Sequence, residues 1–292
     1  MKVAIFGRNF DFEYAKYIQS FFENLYSLHS EVIIYDKFFH FLVNEANISL
    51  QSKQTFSDYS GLKGTSDMLF SIGGDGTILD ALNVVRDSNI PVIGINTGKL
   101  GFLASVAIHE TGQAIESIVN KQFTLDKRSL LKVESTSGKF NDFPFGLNEI
   151  TVQKSDSTMI TVQVEVDGEY LNSYWADGLI VSTPTGSTAY SLSVGGPVIT
   201  PQSGNIIISP ISPHNLTVRP LVLPDNCRLK LKVDSRAHNH IISLDHRSIK
   251  VDNDEEIFVS KADFSLNLIQ LNNSSFYNTL RNKLMWGVDK RN

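Results

Sequence analysis

Residues 67–87 read DMLFSIGGDGTILDALNVVRD, and the order of residue types in this stretch decides the architecture. Met68-Leu69-Phe70 forms the centre of a short apolar run from Asp67 to Ile72, as expected of a buried strand. Gly73-Gly74-Asp75-Gly76 and then Thr77 follow, three glycines in four positions. Over 77–87, Ile78, Leu79, Leu82 and Val85 recur on one helical face. A strand that passes through a glycine turn directly into a helix is one step of a parallel, helix-covered sheet.

The same alternation extends on both sides. Residues 2–6 read as a first strand that stops at Gly7-Arg8-Asn9, and Tyr14, Tyr17, Ile18, Phe21, Phe22 and Leu25 then recur at helical spacing. Glu31 to Tyr35 and Ile90 to Ile95 read as strands, and Glu110 to Asn120 as a helix. Beyond about Asp126 the period changes to two: Leu130 to Glu134, Thr161 to Val166, Leu229 to Val233 and Ile257 to Val259 alternate. Asp167-Gly168 between two such runs predicts a hairpin turn. The expected fold is α/β plus all-β: an N-terminal Rossmann-like α/β domain over 1–125 and a C-terminal antiparallel β-sandwich-like domain over 126–269. Phe276 to Trp286 predicts a last helix within 270–292 that packs back on the first domain, with Leu280, Leu284 and Met285 available for packing.

Composition narrows the function classes. The 292 residues give room for two domains, and 41% hydrophobic with 20% charged residues is ordinary for a globular chain. A net charge of −5 argues against broad electrostatic binding to nucleic acid or an anionic membrane, so phosphate must be bound locally. Cys227, the only cysteine, excludes an intrachain disulfide and a thiolate metal cluster and fits a reducing compartment. No apolar run approaches the roughly 18 residues of a membrane span, and the first is too short for a signal segment. A soluble, cytoplasmic protein is expected.

The chemistry concentrates in the glycine turn. Gly73, Gly74, Gly76 and Thr77 bring the backbone close to a ligand at a helix N-terminus, where open N–H groups and the dipole favour phosphate. An acid there would repel phosphate unless Asp75 accepts a proton from a hydroxyl or helps hold a divalent metal. Read as structure alone, Asp75 is a helix-start residue. Asn148-Glu149 offers amide and carboxyl groups suited to the paired hydroxyls of a ribose, or else a polar strand edge. Phe102 is open to stacking on a ring or to core packing. In Thr183-Pro184-Thr185-Gly186 the proline and glycine places suit a type I turn, and Tyr190 beyond it offers a stacking ring.

GGDGT resembles the motif shared by NAD kinases, diacylglycerol and sphingosine kinases and, in variant form, phosphofructokinases. Further stretches resemble NAD kinases in particular: Asn96-Thr97-Gly98-Lys99-Leu100-Gly101-Phe102-Leu103, Asn148-Glu149, the run from Asp177 to Ser193 with Gly195-Gly196-Pro197, and Ser212 to Val222. Leu244-Asp245-His246 stands where the family often has aspartate-glycine, so His246 is a departure; Trp175-Ala176 is another, at a place where a basic residue is frequent. His214 and His246 read by default as hydrogen-bonded structural histidines.

The resemblance implies a kinase that moves the γ-phosphoryl of ATP to the 2′-hydroxyl of the adenosine ribose of NAD, with Mg²⁺ accompanying ATP. It implies Asp75 as the catalytic residue and Gly73, Gly74, Gly76 and Thr77 as phosphate contacts. The implied NAD contacts are Asp75, Gly76, Phe102, Asn148, Glu149, Asp177, Thr185, Thr188, Ala189, Tyr190, Ser191, Leu192, Ser193 and Asp245; no residue is assigned as a protein metal ligand. A homodimer or homotetramer is implied as well. A carboxylate is a feeble base, which is tolerable because phosphoryl-transfer transition states are loose. A lipid kinase sharing the glycine turn, and a dinucleotide sensor without turnover, are the rival readings.

Overall fold

The computed structural model describes residues 1–98, 101–140, 142–272 and 275–287. Two units emerge, Met1–Lys127 with Leu266–Asn292, and Arg128–Ser265.

The first unit runs β1 (Lys2–Gly7), α1 (Ala15–Ser27), β2 (Glu31–Tyr35), α2 (Asp36–Asn44), β3 (Thr55–Phe56), α3 (Tyr59–Leu62), β4 (Met68–Ile72), α4 (Asp75–Val85), β5 (Val92–Asn96), β6 (Val106–Ala107) and α5 (Thr111–Val119). The strands β3-β2-β1-β4-β5 form a parallel sheet in that order, the Rossmann-like arrangement predicted by the alternation. Both faces of the sheet are covered, so β4 and β5 are buried at every position and read as unbroken apolar runs. α1 turns Ile18, Phe21, Phe22 and Leu25 inward, the face read from its spacing. On α4 the buried face is Ile78, Ala81, Leu82 and Val85 with Val84, whereas Leu79 is only partly buried. Leu79, one residue past Ile78, lies at the margin of that face.

The second unit continues with β7 (Phe123–Ser135), which begins within the first, then β8 (Phe145–Gly146), β9 (Glu149–Lys154), β10 (Ile160–Val166), β11 (Glu169–Ala176), β12 (Gly178–Ser182), α6 (Tyr190–Ser193), β13 (Asn205–Ile211), β14 (Leu221–Pro224), β15 (Leu229–Ser235), β16 (Asn239–Leu244), β17 (Arg247–Asp252) and β18 (Glu256–Leu271), which ends within the first. One antiparallel sheet orders β14-β13-β12-β9-β16-β17, and β11-β10-β15-β18 is the core of the other. Alternate residues of both enter one core, among them Val152, Val181 and Ile242 from the first and Val162, Leu231 and Val259 from the second. That is the sandwich expected from period two. Asp167 (φ 52°) and Gly168 (φ 86°) make the β10–β11 hairpin.

α7 (Phe276–Leu284) starts at Ser275, whose hydroxyl accepts from the Asn278 N–H, and buries Leu280. It ends because Met285 takes a left-handed conformation (φ 52°), which leaves Met285 exposed rather than packed as its spacing suggested. Among the described residues no helix is long and apolar enough to cross a membrane.

His240 on β16 is fully buried, and neither ring nitrogen has a hydrogen-bond partner. Burial pushes its pKa below 6.5, offset only in part by the carboxylates of Glu255 and Asp252. As pH falls below that value the unfolded chain takes up a proton that the folded chain refuses, so stability should drop, by at most about 1.4 kcal/mol per pH unit. Denaturant unfolding of His240→Leu between about pH 5 and about pH 7.5 should show a shallower acid limb than the parent protein; equal limbs would assign the acid loss elsewhere.

Candidate functional site

In the first unit the strand order reverses between β1 and β4, and open sheets bind ligands at the carboxyl ends of strands at such a point. The Gly73–Thr77 turn leaves β4 there. The Gly73 N–H donates to the Ile95 carbonyl (2.9 Å), tying the turn to β5, and Gly74 precedes α4 without a side-chain cap. Asp75, the first residue of α4, reaches across to the loop after β5. Its Oδ2 accepts from the Phe102 N–H (2.7 Å) and its Oδ1 from those of Leu103 (3.1 Å) and Ala104 (2.9 Å). Gly101 is required by this approach, since a Cβ there would lie 1.7 Å from Asp75 Oδ1. The two loops singled out by sequence thus meet at one carboxylate; Lys99 and Leu100 of the second lie outside the described residues. With one N–H on Oδ2, a lone pair remains for a hydroxyl. The Phe102 ring leans on Phe276 (centroids 6.4 Å apart), with Lys283 Nζ 5.8 Å from its centroid.

Beside the glycine turn is a cavity of about 620 Å³ lined by Gly7, Arg8 and Asn9 after β1, Tyr35 and Lys37 around the end of β2, and Asp80, Asn83 and Val84 on α4. The Phe6 and Tyr35 rings meet in its wall, centroids 4.5 Å apart and tilted by 34°. Arg8 is ion-paired with Asp80, and its Nη1 lies 3.8 Å from where a Cβ on Gly76 would be. In the sequence Gly7-Arg8-Asn9 reads only as a strand end, and no pattern marks Lys37 or Asp80. A cation directly after the first strand of a parallel sheet was the available signal.

The second unit has a parallel construction. Asp245, at the β16–β17 turn with φ 53°, accepts from the N–H groups of Leu147 (2.9 Å), Asn148 (2.8 Å) and Glu149 (3.1 Å). Its own N–H returns to the Glu149 carbonyl at 2.9 Å. The Thr183 N–H donates to the Asn148 carbonyl (2.9 Å) and its hydroxyl to that of Leu147 (2.6 Å). A Cβ at Gly186 would lie 2.1 Å from the Asn148 oxygen, so only glycine fits. Thr185–Thr188 then form a 3₁₀ turn and Tyr190–Ser193 a short helix. Asn148, Glu149, Thr185, Tyr190 and Asp245 are thereby gathered around one loop, and the Ser191 hydroxyl next to them is bonded to that of Ser209 (3.0 Å). Thr188 and Ala189 follow in the turn, Leu192 N–H donates to Ala189 (3.2 Å), and Ser193 is exposed.

Tyr190 is 36% exposed, with its hydroxyl accepting from the Gln153 amide (3.2 Å). Asp177 lies before β12 and pairs with Lys154 on β9 (2.6 Å). Arg128, overlooked in the sequence, is buried and donates to the Thr185 hydroxyl (3.3 Å). His246 is exposed at the β16–β17 turn, and His214 is exposed with its backbone N–H on the Trp175 carbonyl (2.9 Å).

Glu149 is 7% exposed, and its Oε2 has no partner. Burial and then the neighbouring Asp245 push its carboxyl up to about 8, against the Tyr190 backbone N–H. Burial also raises Asp245, opposed by its three N–H donors and by Arg247, whose guanidinium is held by the Phe143 (2.7 Å) and Phe145 carbonyls.

A glycine turn at a helix N-terminus in one unit, and a hydroxyl-lined turn with buried acids in the other, are features of a nucleotide-binding protein. Comparison with known proteins is specific. Residues 43–123 match the family model of the ATP-NAD kinase N-terminal domain and residues 147–271 that of the ATP-NAD kinase C-terminal domain. An NAD kinase of Flavobacterium psychrophilum is 45% identical over 295 residues and one of Bacteroides fragilis 39% over 292, each covering 100% of both chains. The crystal structure of an NAD kinase from Archaeoglobus fulgidus in complex with ATP aligns with a TM-score of 0.74 at 25% identity, over 98% of this chain and 99% of that one. The crystal structure of yeast NADH kinase complexed with NADH shares the fold, with a TM-score of 0.85 at 22% identity over 99% and 88% of the two chains. The chain belongs to the ATP-NAD kinase family.

The two carboxylate-held loops predict local effects. An N–H bond to a charged group contributes about 1.5–3 kcal/mol. Asp75→Ala should therefore speed amide exchange at Phe102, Leu103 and Ala104 by about ten- to a hundredfold, and Asp245→Ala should do the same at Leu147, Asn148 and Glu149 only. Exchange spread evenly over a whole unit would mean that the carboxylates stabilise the fold rather than the loops.

Proposed function

We propose that the chain transfers the γ-phosphoryl of ATP to the 2′-hydroxyl of the adenosine ribose of NAD, producing NADP. The observation that carries this reading is the Asp75 carboxylate, oriented by three backbone N–H groups at the mouth of a phosphate-binding turn. In this reading the donor's phosphates meet Gly73, Gly74, Gly76 and Thr77 at the start of α4, and the adjoining cavity takes the rest of ATP. Tyr35 and Phe6 offer aromatic surface to its base, and Arg8 and Lys37 offer positive charge to its phosphates. Asn148, Glu149, Asp177, Thr185 and the stretch Thr188–Ser193 bind NAD, Tyr190 stacks on a ring, and Asp245 shapes the loop that carries the first two. Phe102 would close on the dinucleotide from the Asp75 loop.

Asp75 Oδ2 accepts a hydrogen bond from the 2′-hydroxyl, holding one oxygen lone pair toward the γ-phosphorus, and takes the proton as the new P–O bond forms and the bond to ADP breaks. Orientation and charge neutralisation dominate such a step, because the transition state is loose. Mg²⁺ would enter on the phosphates of ATP. Bound in that way, the ion would be held chiefly through substrate phosphates and water. The same reading carries a cytoplasmic homodimer or homotetramer; it is supported by Cys227, buried and unbridged, and by Trp175 and Tyr170 exposed on β11.

The test is a coupled assay with NAD, ATP and Mg²⁺, read through an NADP-specific dehydrogenase, with diacylglycerol as the competing acceptor. Asp75→Asn should retain NAD binding and lose about 10²–10⁴-fold in kcat; a near-normal rate would remove Asp75 from the chemistry. Tyr190→Ala should raise KM for NAD with little change in kcat, whereas an unchanged KM would make Tyr190 a packing residue.

A further inference from the structure

We infer that Glu149 grips the dinucleotide's ribose as a neutral carboxylic acid, donating from the open oxygen and accepting on the other, rather than as a carboxylate. This rests on the assignment of NAD to the Asn148-Glu149 loop and adds the protonation state in which that loop works. The side chain is more than nine-tenths buried, and Oε2 meets no donor. Asp245 is bonded to the same loop, but both of its oxygens already face N–H groups, two on Oδ1 and one on Oδ2. A proton on Asp245 Oδ1 would displace one of its two donors, and one on Oδ2 would weaken the bond made there, whereas Glu149 Oε2 has no donor to lose. Two acids buried side by side resist carrying two charges, so they share a proton, and it resides where an oxygen is open. That is Glu149.

The surrounding elements agree. From the β16–β17 turn the facing charges are Asp245 and, beyond it, Arg247, which is turned to the Phe143 and Phe145 carbonyls. From α6 comes the Tyr190 backbone N–H, with the phenol engaged by Gln153. Along β9, Lys154 is paired with Asp177, and on β7 Arg128 is bonded to Thr185. The raised pKa of Glu149 follows from burial first and Asp245 second. A neutral carboxyl carries one donor and one acceptor, the complement of a sugar hydroxyl, and buries no charge in doing so.

The experiment is titration calorimetry of the full chain with NAD, in buffers of different ionisation enthalpy, from about pH 6.5 to about pH 9.5. Wild-type affinity should be level on the acid side and weaken by up to about tenfold per pH unit above the Glu149 pKa, with net proton uptake on binding near pH 8.5, about midway in that alkaline limb. Glu149→Gln, which keeps a donor and an acceptor, should lose the alkaline limb and the proton uptake. Its affinity at neutral pH should fall by less than about threefold, against tenfold or more for Glu149→Ala. Proton release by the wild type, or a tenfold loss in Glu149→Gln with no pH dependence in the parent, would show that a carboxylate binds and overturn the inference. If Glu149→Ala binds NAD normally, the assignment of NAD to this loop fails, and the protonation claim fails with it.

Discussion

A carboxylate that collects three consecutive backbone N–H groups is the interaction on which the candidate loop of each unit depends. Asp75 does this to residues 27 to 29 positions downstream, and Asp245 to residues 96 to 98 positions upstream. A loop without regular structure has amides to satisfy, and a buried or half-buried carboxylate has lone pairs to fill, so each answers the need of the other. The result is a bend held in one geometry by a single side chain. Gly101 follows from that approach, because the carboxylate occupies the space of its missing Cβ.

The fold was legible wherever burial imposes a period. Parallel strands covered on both faces appear as unbroken apolar runs, and sandwich strands as alternation. Where the reading faltered, the cause was local. Leu79 has the right spacing but yields to Ala81 and Val84 at the sheet contact, and Met285 has a packing residue's character but stands past the left-handed turn that ends α7. The motif residues Asn148, Glu149, Thr185 and Asp245 could be picked out individually; that they share one loop could not, because the bonds that gather them are mainly between backbone groups and Asp245. Arg8 and Lys37 escaped notice because an isolated cation beside a strand has no pattern until the sheet order brings the ends of β1, β2 and β4 together.

An acidic chain that handles phosphorylated ligands must place its positive potential locally. In the first unit this is done by the dipole of α4 and by Lys37 at the cavity wall, with Arg8 beside them paired to Asp80. In the second unit Lys154 pairs with Asp177, Arg247 is turned to carbonyls and Arg128 to the Thr185 hydroxyl, and of two neighbouring acids one is crowded with donors while the other is left open.

Because Asp75 and Asp245 take hold of peptide N–H groups, the side chains at 102–104 and 147–149 have no part in the grip itself. Those positions can drift in size and polarity, within their packing, without moving either carboxylate. Proline alone among the standard residues lacks the required hydrogen. At these six positions, then, chain divergence has an imino-acid veto written into it, independent of whatever the side chains themselves are selected to touch.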